Sequence, residues 1–163
     1  MANTTHVDHA HVHDDHDHKP HGLKRWLYAT NHKDIGTMYL VFACIMFFLG
    51  GAMALVIRAE LFQPGLQFVD PQFFNSMTAM HALVMIFGAI MPAWVGLANW
   101  MIPMQIGAAD MAFPRMNNWS FWIMIPASVL LMASFFVPGG AAASGWTLYP
   151  PLTIQAGMGT DLT

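Results

Sequence analysis

One histidine stands inside a long stretch without charge, where an ionisable side chain needs a specific reason. His81 lies in the segment 71–109, which contains no Asp, Glu, Lys or Arg. Neutral imidazole is a ligand of haem iron and of other metals, whereas a buried imidazole can also be a hydrogen-bonded part of a packed core. Spacing leaves both interpretations open, but an ionisable group at membrane depth is a functional candidate.

Arg58 is the second candidate, because it ends the preceding uncharged run. If the two runs are antiparallel helices, Arg58 and His81 are expected at similar depth. The guanidinium could extend to the membrane interface, as long basic side chains commonly do. It could instead donate hydrogen bonds to a group that His81 holds.

Polar side chains also gather around the segment GAADMAFPRMNN (107–118). Asp110 lies within this segment, Asn117 and Asn118 lie at its end, and Asn99 precedes it. A carboxylate and several amides at one place could order waters and admit protons. The alternative is a solvated loop whose asparagines cap a helix.

The N-terminal segment offers metal-binding chemistry. Residues 6–21 hold seven of the nine histidines and four aspartates. Such a segment can bind divalent metal, and the other interpretation is a solvated extension. Because it has almost no large apolar residues, we predict that residues 1–28 are a disordered cytoplasmic tail.

The remaining chain is predicted to lie in a membrane. Of its 163 residues 56% are hydrophobic and 9% are charged, whereas about 25% are charged in soluble domains. An ordinary soluble globule is therefore excluded, and six Lys plus Arg exclude a nucleic-acid binder. The single cysteine, Cys44, excludes a disulfide framework, and the fifteen methionines are interpreted as packing between helices.

An all-α integral membrane protein with three spans is predicted. The predicted helices cover residues 37–57, 77–102 and 118–137. A helix of 21 residues is about 31 Å long, which matches one bilayer core. Pro71 is expected to start the second helix and Pro103 to stop it, whereas Pro92 and Pro126 are expected to kink the helices that contain them.

Basic residues predict the orientation. Five flank one side of the spans and one flanks the other: Lys19, Lys24, Arg25, Lys33 and Arg115 against Arg58. Because basic residues accumulate on the cytoplasmic side, the N-terminus is predicted inside and the C-terminus outside.

Five stretches together resemble subunit I of the haem–copper respiratory oxidases, in particular cytochrome c oxidases of the haem a type. They are TNHKDIGTMYL (30–40), IRAELFQPG (57–65), TAMHALVMIF (78–87), GAADMAFPRMNNWSFW (107–122) and GWTLYPPL (145–152). The resemblance extends from about Ala29 to the C-terminus. It implies a twelve-helix bundle, of which residues 29–163 supply the N-terminal part.

The resemblance implies three residues at a low-spin haem a. His81 takes the place of an axial ligand of the iron, and Arg58 that of an arginine that hydrogen-bonds the haem formyl group. Trp146 takes the place of a tryptophan near the haem propionates.

The resemblance also implies a proton-uptake channel. Asp110 takes the place of the carboxylate at its mouth, and Asn99 and Asn117 those of asparagines that order its water. Two departures occur: GLAN (96–99) is one residue shorter than the common GGFGN, which could rotate Asn99, and GAAD (107–110) replaces GAPD but keeps the acid.

The implied function is the transfer of electrons from cytochrome c through haem a to a centre of high-spin haem a and copper B. Oxygen is reduced to water there, with proton pumping. Implied partners are oxidase subunits II and III, cytochrome c and the lipid bilayer, with no nucleic acid, in the plasma membrane of a bacterium. No catalytic residue of the oxygen-reducing centre occurs in the chain, which is interpreted as an N-terminal fragment that is inactive alone.

Two alternatives stay open. One is a quinol-oxidising relative, against which PRMNN (114–118) favours the cytochrome c branch. The other is a small three-span protein for metal delivery or oxidase assembly, which would use the His-rich tail and would have no need of His81 at a fixed depth.

Overall fold

The computed structural model describes residues 22–155, which form helices and contain no strand. The elements in chain order are α1 (Leu23–Leu27), α2 (His32–Glu60), α3 (Pro71–Leu83), a π-helical segment (Val84–Ile90), α4 (Met91–Ile106), α5 (Pro114–Ala133), a 3-10 turn (Ser134–Phe136) and α6 (Leu152–Gln155). The π segment joins α3 to α4 without a break, so residues 71–106 form one rod, which we call the second membrane helix.

Three helices in the described range are long and apolar enough to cross a bilayer. They are His32–Glu60 with 29 residues, Pro71–Ile106 with 36 and Pro114–Phe136 with 23. The predicted all-α membrane class with three spans is confirmed, and the chain is a multi-pass membrane protein.

Each span is longer than predicted, because charged and capping residues at the helix ends are helical too. The side chain of Asn31 accepts the N–H of Lys33, and that of Asp70 accepts the N–H of Gln72, each at 2.9 Å. These bonds satisfy peptide groups at the first turns of α2 and α3. The predicted start at Pro71 is confirmed.

The predicted stop at Pro103 is wrong. The second membrane helix continues to Ile106 and ends at Gly107, whose φ of +71° is left-handed. Glycine adopts this conformation without a steric penalty, and it commonly ends helices. A proline removes only one helical hydrogen bond, which membrane helices tolerate.

The two internal prolines have different surroundings. Ahead of Pro92 the backbone forms the π segment, where the N–H of Met91 donates to the carbonyl of Ile86, five residues back. At Pro126 the α-helix α5 continues without such a segment. The kinks at Pro92 and Pro126 stay predictions, and the feature found ahead of Pro92 is a wider helical turn.

A disordered tail was predicted over residues 1–28, and helix α1 corrects this for the part that the structure describes, residues 22–28. Arg25 donates from Nε and Nη2 to the carboxylate of Asp34, at 2.9 and 2.7 Å, and Asn118 donates to the carbonyl of Leu27 at 2.8 Å. The hydrogen bond and the charge of Asp34 raise the pKa of Arg25 above its ordinary value. The His-rich segment 6–21 lies outside the described residues.

Helix α2 is the central element, because both other spans pack on it. A Cβ on Gly36 would lie 2.9 Å from the carbonyl oxygen of Gly96, so the two backbones approach closely there. The rings of Tyr39 and Phe121 join α2 to α5 edge to face, with 5.2 Å between centroids.

Methionines fill the interface between the helices nearer the end of α2. The side chains of Met46, Met53, Met77 and Met80 are all buried in one cluster. Their unbranched thioethers fit irregular gaps, so these four methionines serve the predicted packing role, whereas others such as Met116 are exposed.

Candidate functional site

The bundle has two ends, which we name by the residues at which α2 begins and ends. At the Glu60 end, α2 stops and α3 begins. At the His32 end, α2 begins, α4 stops and α5 begins. The candidate residues divide between these ends.

His81 lies in the last turn of α3 and bonds to the backbone of α2. Its Nδ1 lies 2.8 Å from the carbonyl oxygen of Gly50, and the side chain is half-buried. A carbonyl oxygen only accepts hydrogen bonds, so Nδ1 carries the proton and the lone pair of the neutral ring is on Nε2. This is the arrangement in which a histidine binds a metal through one nitrogen while the other is oriented by a hydrogen bond.

Gly50 makes this contact possible because it has no side chain. A Cβ at this position would lie 2.6 Å from the sulfur of Met85 and 3.4 Å from Val84. The helices therefore come close enough for the imidazole to reach the backbone of α2.

Arg58 does not lie at the depth of His81, so that prediction is wrong. His81 is level with Gly50, and Arg58 follows Gly50 by eight residues, which is about 12 Å along the helix. Eight residues also turn Arg58 by roughly 80° from the face that carries Gly50. Its exposed side chain borders an open groove with Phe62 and Phe68.

Trp146 lies in the loop that follows α5, also at the Glu60 end. Residues 141–144 of this loop are buried, and Ser76 of α3 donates to the carbonyl of Ala141 at 3.0 Å. The loop is thus fixed against the start of α3, whereas the Trp146 side chain is half-exposed at 51%. Among residues 22–155, no hydrogen bond joins Trp146 to His81 or Arg58.

At the His32 end, Asp110 pairs with a histidine. Its Oδ1 lies 3.2 Å from both the backbone N and the ring Nδ1 of His32, and it accepts the N–H of Met111 at 2.8 Å. His32 is buried, whereas Asp110 is partly open to solvent. Nε2 of His32 is buried without a partner in the described part of the chain, and a buried polar atom of this kind fits an internal water.

Asn99 and Asn117 are brought together. The amide nitrogen of Asn117 donates to the amide oxygen of Asn99, while Asn99 donates to the carbonyl of Val95 at 3.0 Å. Asn99 is buried, with 3% of its surface exposed. The shorter GLAN segment therefore leaves Asn99 facing α5, and the expected rotation does not remove it from its partner.

The alternative of asparagines that cap a helix is wrong. The residue before α5 is Phe113, and it makes no side-chain cap. Asn118 instead bonds α1 to α5, and its oxygen accepts the indole N–H of Trp122 at 3.1 Å. Arg115 is exposed.

Sequence reasoning did not single out His32 or Glu60. His32 stands in the quoted stretch 30–40, but its partner is 78 residues away in the chain, and no local pattern reveals such a pair. Glu60 is buried and accepts the backbone N–H groups of Gln67, Phe68 and Val69 at 2.8, 2.7 and 3.2 Å. This carboxylate organises the turn after α2.

Known proteins resemble the chain over most of its length. The sequence model of the family "Cytochrome C and Quinol oxidase polypeptide I" matches residues 34–163. A protein named cytochrome c oxidase subunit 1 from Corynebacterium efficiens is 47% identical over 150 residues, which are 89% of this chain and 26% of that protein.

Two further proteins match at similar levels. Cytochrome c oxidase subunit 1 of Corynebacterium glutamicum is 47% identical, with the same coverage of 89% and 26%. A probable cytochrome c oxidase subunit 1-alpha of Streptomyces coelicolor is 45% identical over 85% of the chain and 24% of that protein. The chain thus spans about a quarter of the length of these relatives, and it belongs to the cytochrome c and quinol oxidase polypeptide I family.

Proposed function

We propose that the chain is the N-terminal part of the catalytic subunit of a cytochrome c oxidase. In the whole enzyme, electrons from cytochrome c would pass to oxygen, which is reduced to water while protons are pumped. One observation carries the proposal: His81, the histidine inside a membrane helix, donates from Nδ1 to Gly50 and keeps Nε2 for a ligand. The names of the relatives support the same activity.

The residues at the Glu60 end fit a low-spin haem a. His81 would hold the iron through Nε2, Arg58 would donate to the formyl group, and Trp146 would lie near the propionates. The two-turn offset between His81 and Arg58 fits a ligand that extends along the helices. When bound, the haem supplies one-electron transfer, and a high-spin haem a with copper B would be held by further parts of the subunit.

The chain's own contribution at this end is orientation and exclusion of water. The bond from His81 to Gly50 holds the imidazole plane and makes Nε2 a stronger donor to a metal. Met80 and Val84, on either side of His81, are completely buried. A dry and rigid environment of this kind is one of the means by which a protein adjusts the redox potential of a haem.

The His32 end would collect protons. Asp110 is open enough to exchange protons with water, and His32 holds its carboxylate in place. The pair of Asn99 and Asn117 lies between α4 and α5, where amide groups can hold a chain of waters. In this proposal Asp110 passes protons onward and takes no part in the reduction of oxygen.

The same assignment implies location and orientation. The His32 end would face the cytoplasm and the Glu60 end the outside of a bacterial plasma membrane, with subunits II and III as neighbours. The five basic residues on one side of the spans support this orientation. Proton uptake from the outer side during turnover would contradict it.

The electron donor is tested on the full-length subunit assembled with its partner subunits. The PRMNN stretch and the names of the relatives lead us to expect rapid oxygen consumption with reduced cytochrome c and little with a reduced quinol. Cyanide-sensitive consumption with quinol alone would replace the cytochrome c assignment by the quinol branch. No oxygen consumption with either donor, in a preparation that holds its cofactors, would remove the oxidase proposal.

A further inference from the structure

The second membrane helix contacts α2 through two side chains that stand far apart along it. His81 bonds to Gly50, and the indole N–H of Trp100 donates to Thr37 at 3.1 Å. From residue 81 to residue 100 there are 19 steps (100 − 81), and at about 100° per step they make five turns plus roughly 100°. On a regular α-helix the side chains of His81 and Trp100 would therefore point in directions roughly 100° apart.

The π segment compensates for this angle of about 100° between His81 and Trp100. It lies between the two contacts, and its last turn closes from Met91 to Ile86, over five residues rather than four. Such a turn contains one residue more than an α turn. It therefore rotates α4 about the helix axis by about 100° relative to its position in a regular α-helix. As a result, the residues that touch α2 from the second membrane helix include His81, Met85, Gly88, Gly96 and Trp100.

Pro92 explains why the wider turn forms at this place. It has no N–H for the carbonyl four residues earlier, which is that of Gly88, and its ring crowds that carbonyl. Gly88 itself is pressed against α2, since a Cβ there would lie 2.7 Å from Cε of Met46. Pro126 lies exposed on α5, where the helix stays regular.

We propose that Pro92 is a positioning residue for His81. Through the π segment, Pro92 keeps His81 on the same side of the second membrane helix as the α4 residues that contact α2. The imidazole can then reach the carbonyl oxygen of Gly50. The backbone contact between Gly36 and Gly96 holds α4 on α2, so loss of the π segment would turn α3, and with it His81. This inference rests on the proposed function, because its consequence is measured at the haem that His81 would bind.

The test uses the full-length subunit in the assembled oxidase, with the absorption band and the midpoint potential of the low-spin haem a as readouts. Pro92→Ala supplies the missing N–H and allows a regular α-helix. The expected result is a shifted band and a shifted potential. Pro126→Ala, which also removes a proline inside a membrane helix, is expected to change neither.

A second variant tests whether the rotation of α3 relative to α4 is the cause. Pro92→Ala combined with deletion of the half-exposed Ile90 leaves 18 steps between the two contacts, which is about five whole turns of a regular α-helix. Band and potential are expected to return to their wild-type values. If Pro92→Ala does not assemble, the same deletion is expected to restore assembly.

An unchanged band and potential in Pro92→Ala would overturn the inference, as would a deletion that restores neither spectrum nor assembly. Failure of the proposed function gives a different result, because the wild-type oxidase would then show no low-spin haem a signal at all.

Discussion

At the level of single residues, Asp110 combines two properties. Its carboxylate is open to water, and the buried His32 holds it in place. His32 binds its carboxylate through both the backbone and the ring. A carboxylate held in this way at the mouth of a polar cluster is suited to collect protons, whereas a carboxylate that only stabilises the fold would need no contact with solvent.

We expect Asp110→Asn to slow oxygen consumption by the full-length enzyme about tenfold or more, which corresponds to about 1.4 kcal/mol in the barrier. The amide keeps the shape and loses the proton-accepting group. Proton uptake is measured on enzyme in sealed vesicles, alongside the spectrum of the haem, which is expected to stay unchanged.

Asp34→Asn is the matched control, because this carboxylate lies at the same end of the bundle and pairs with Arg25. It is expected to keep wild-type turnover. Equal turnover in Asp110→Asn and the wild type would remove Asp110 from proton uptake.

The candidate site could be predicted in part at this scale. His81, Asn99, Asn117 and Asp110 were identified from an unusual residue type in an apolar or sparsely charged setting. In the structure His81 lies beside Gly50 within the bundle, and the other three lie towards its His32 end. The partners of these residues could not be predicted, because His32 and Gly50 are distant in the chain and carry no local signal. The depth of Arg58 relative to His81 depends on where the two helices cross, which apolar run lengths do not determine.

At the scale of the elements, the close approach of α2 to α4 holds the bundle together. A Cβ on Gly96 would lie 2.9 Å from Cγ of Leu40 and 3.0 Å from the carbonyl oxygen of Gly36. A backbone oxygen cannot move aside as a flexible side chain can, so even one methyl group must push the helices apart.

Gly96→Ala is expected to destabilise the assembled protein by about 1–3 kcal/mol, the usual range for overpacking. Gly51→Ala is the control, since a Cβ at Gly51 meets nothing within 4 Å. That control is expected to be neutral or slightly stabilising, because alanine is the better helix former. Thermal unfolding in detergent measures both, and equal midpoints for the two variants would show that the glycine contact is not needed.

The sequence predicted the number of membrane helices, but not their ends, their internal form or the short helix α1. Long apolar runs are enough to indicate three membrane helices, since the bilayer dictates their length. The helices continue past those runs through capped and charged residues such as Asn31 and Lys33. Only a kink could be predicted at Pro92, because the formation of a π segment depends on the close packing of Gly88 against α2.

At the scale of the whole molecule, the three helices leave much apolar surface exposed. Large side chains such as Phe48, Leu55 and Trp94 are each more than two-thirds exposed. A membrane would cover such surfaces, and the relatives are about three and a half times the length of this chain. The low fraction of charged residues in the sequence had indicated such an exposed apolar surface.

The proposed haem site depends above all on one bond, from Nε2 of His81 to the iron of a low-spin haem a. The most direct test is the low-spin haem a spectrum of the full-length, assembled oxidase with His81→Ala, compared with Thr78→Ala, an exposed position one turn away on the same helix. We expect His81→Ala to lose the low-spin haem a signal and Thr78→Ala to retain it. Arg58→Met is expected to retain the signal with its band moved to the blue. A wild-type low-spin signal in His81→Ala would contradict the assignment of the ligand and, with it, the proposed haem site.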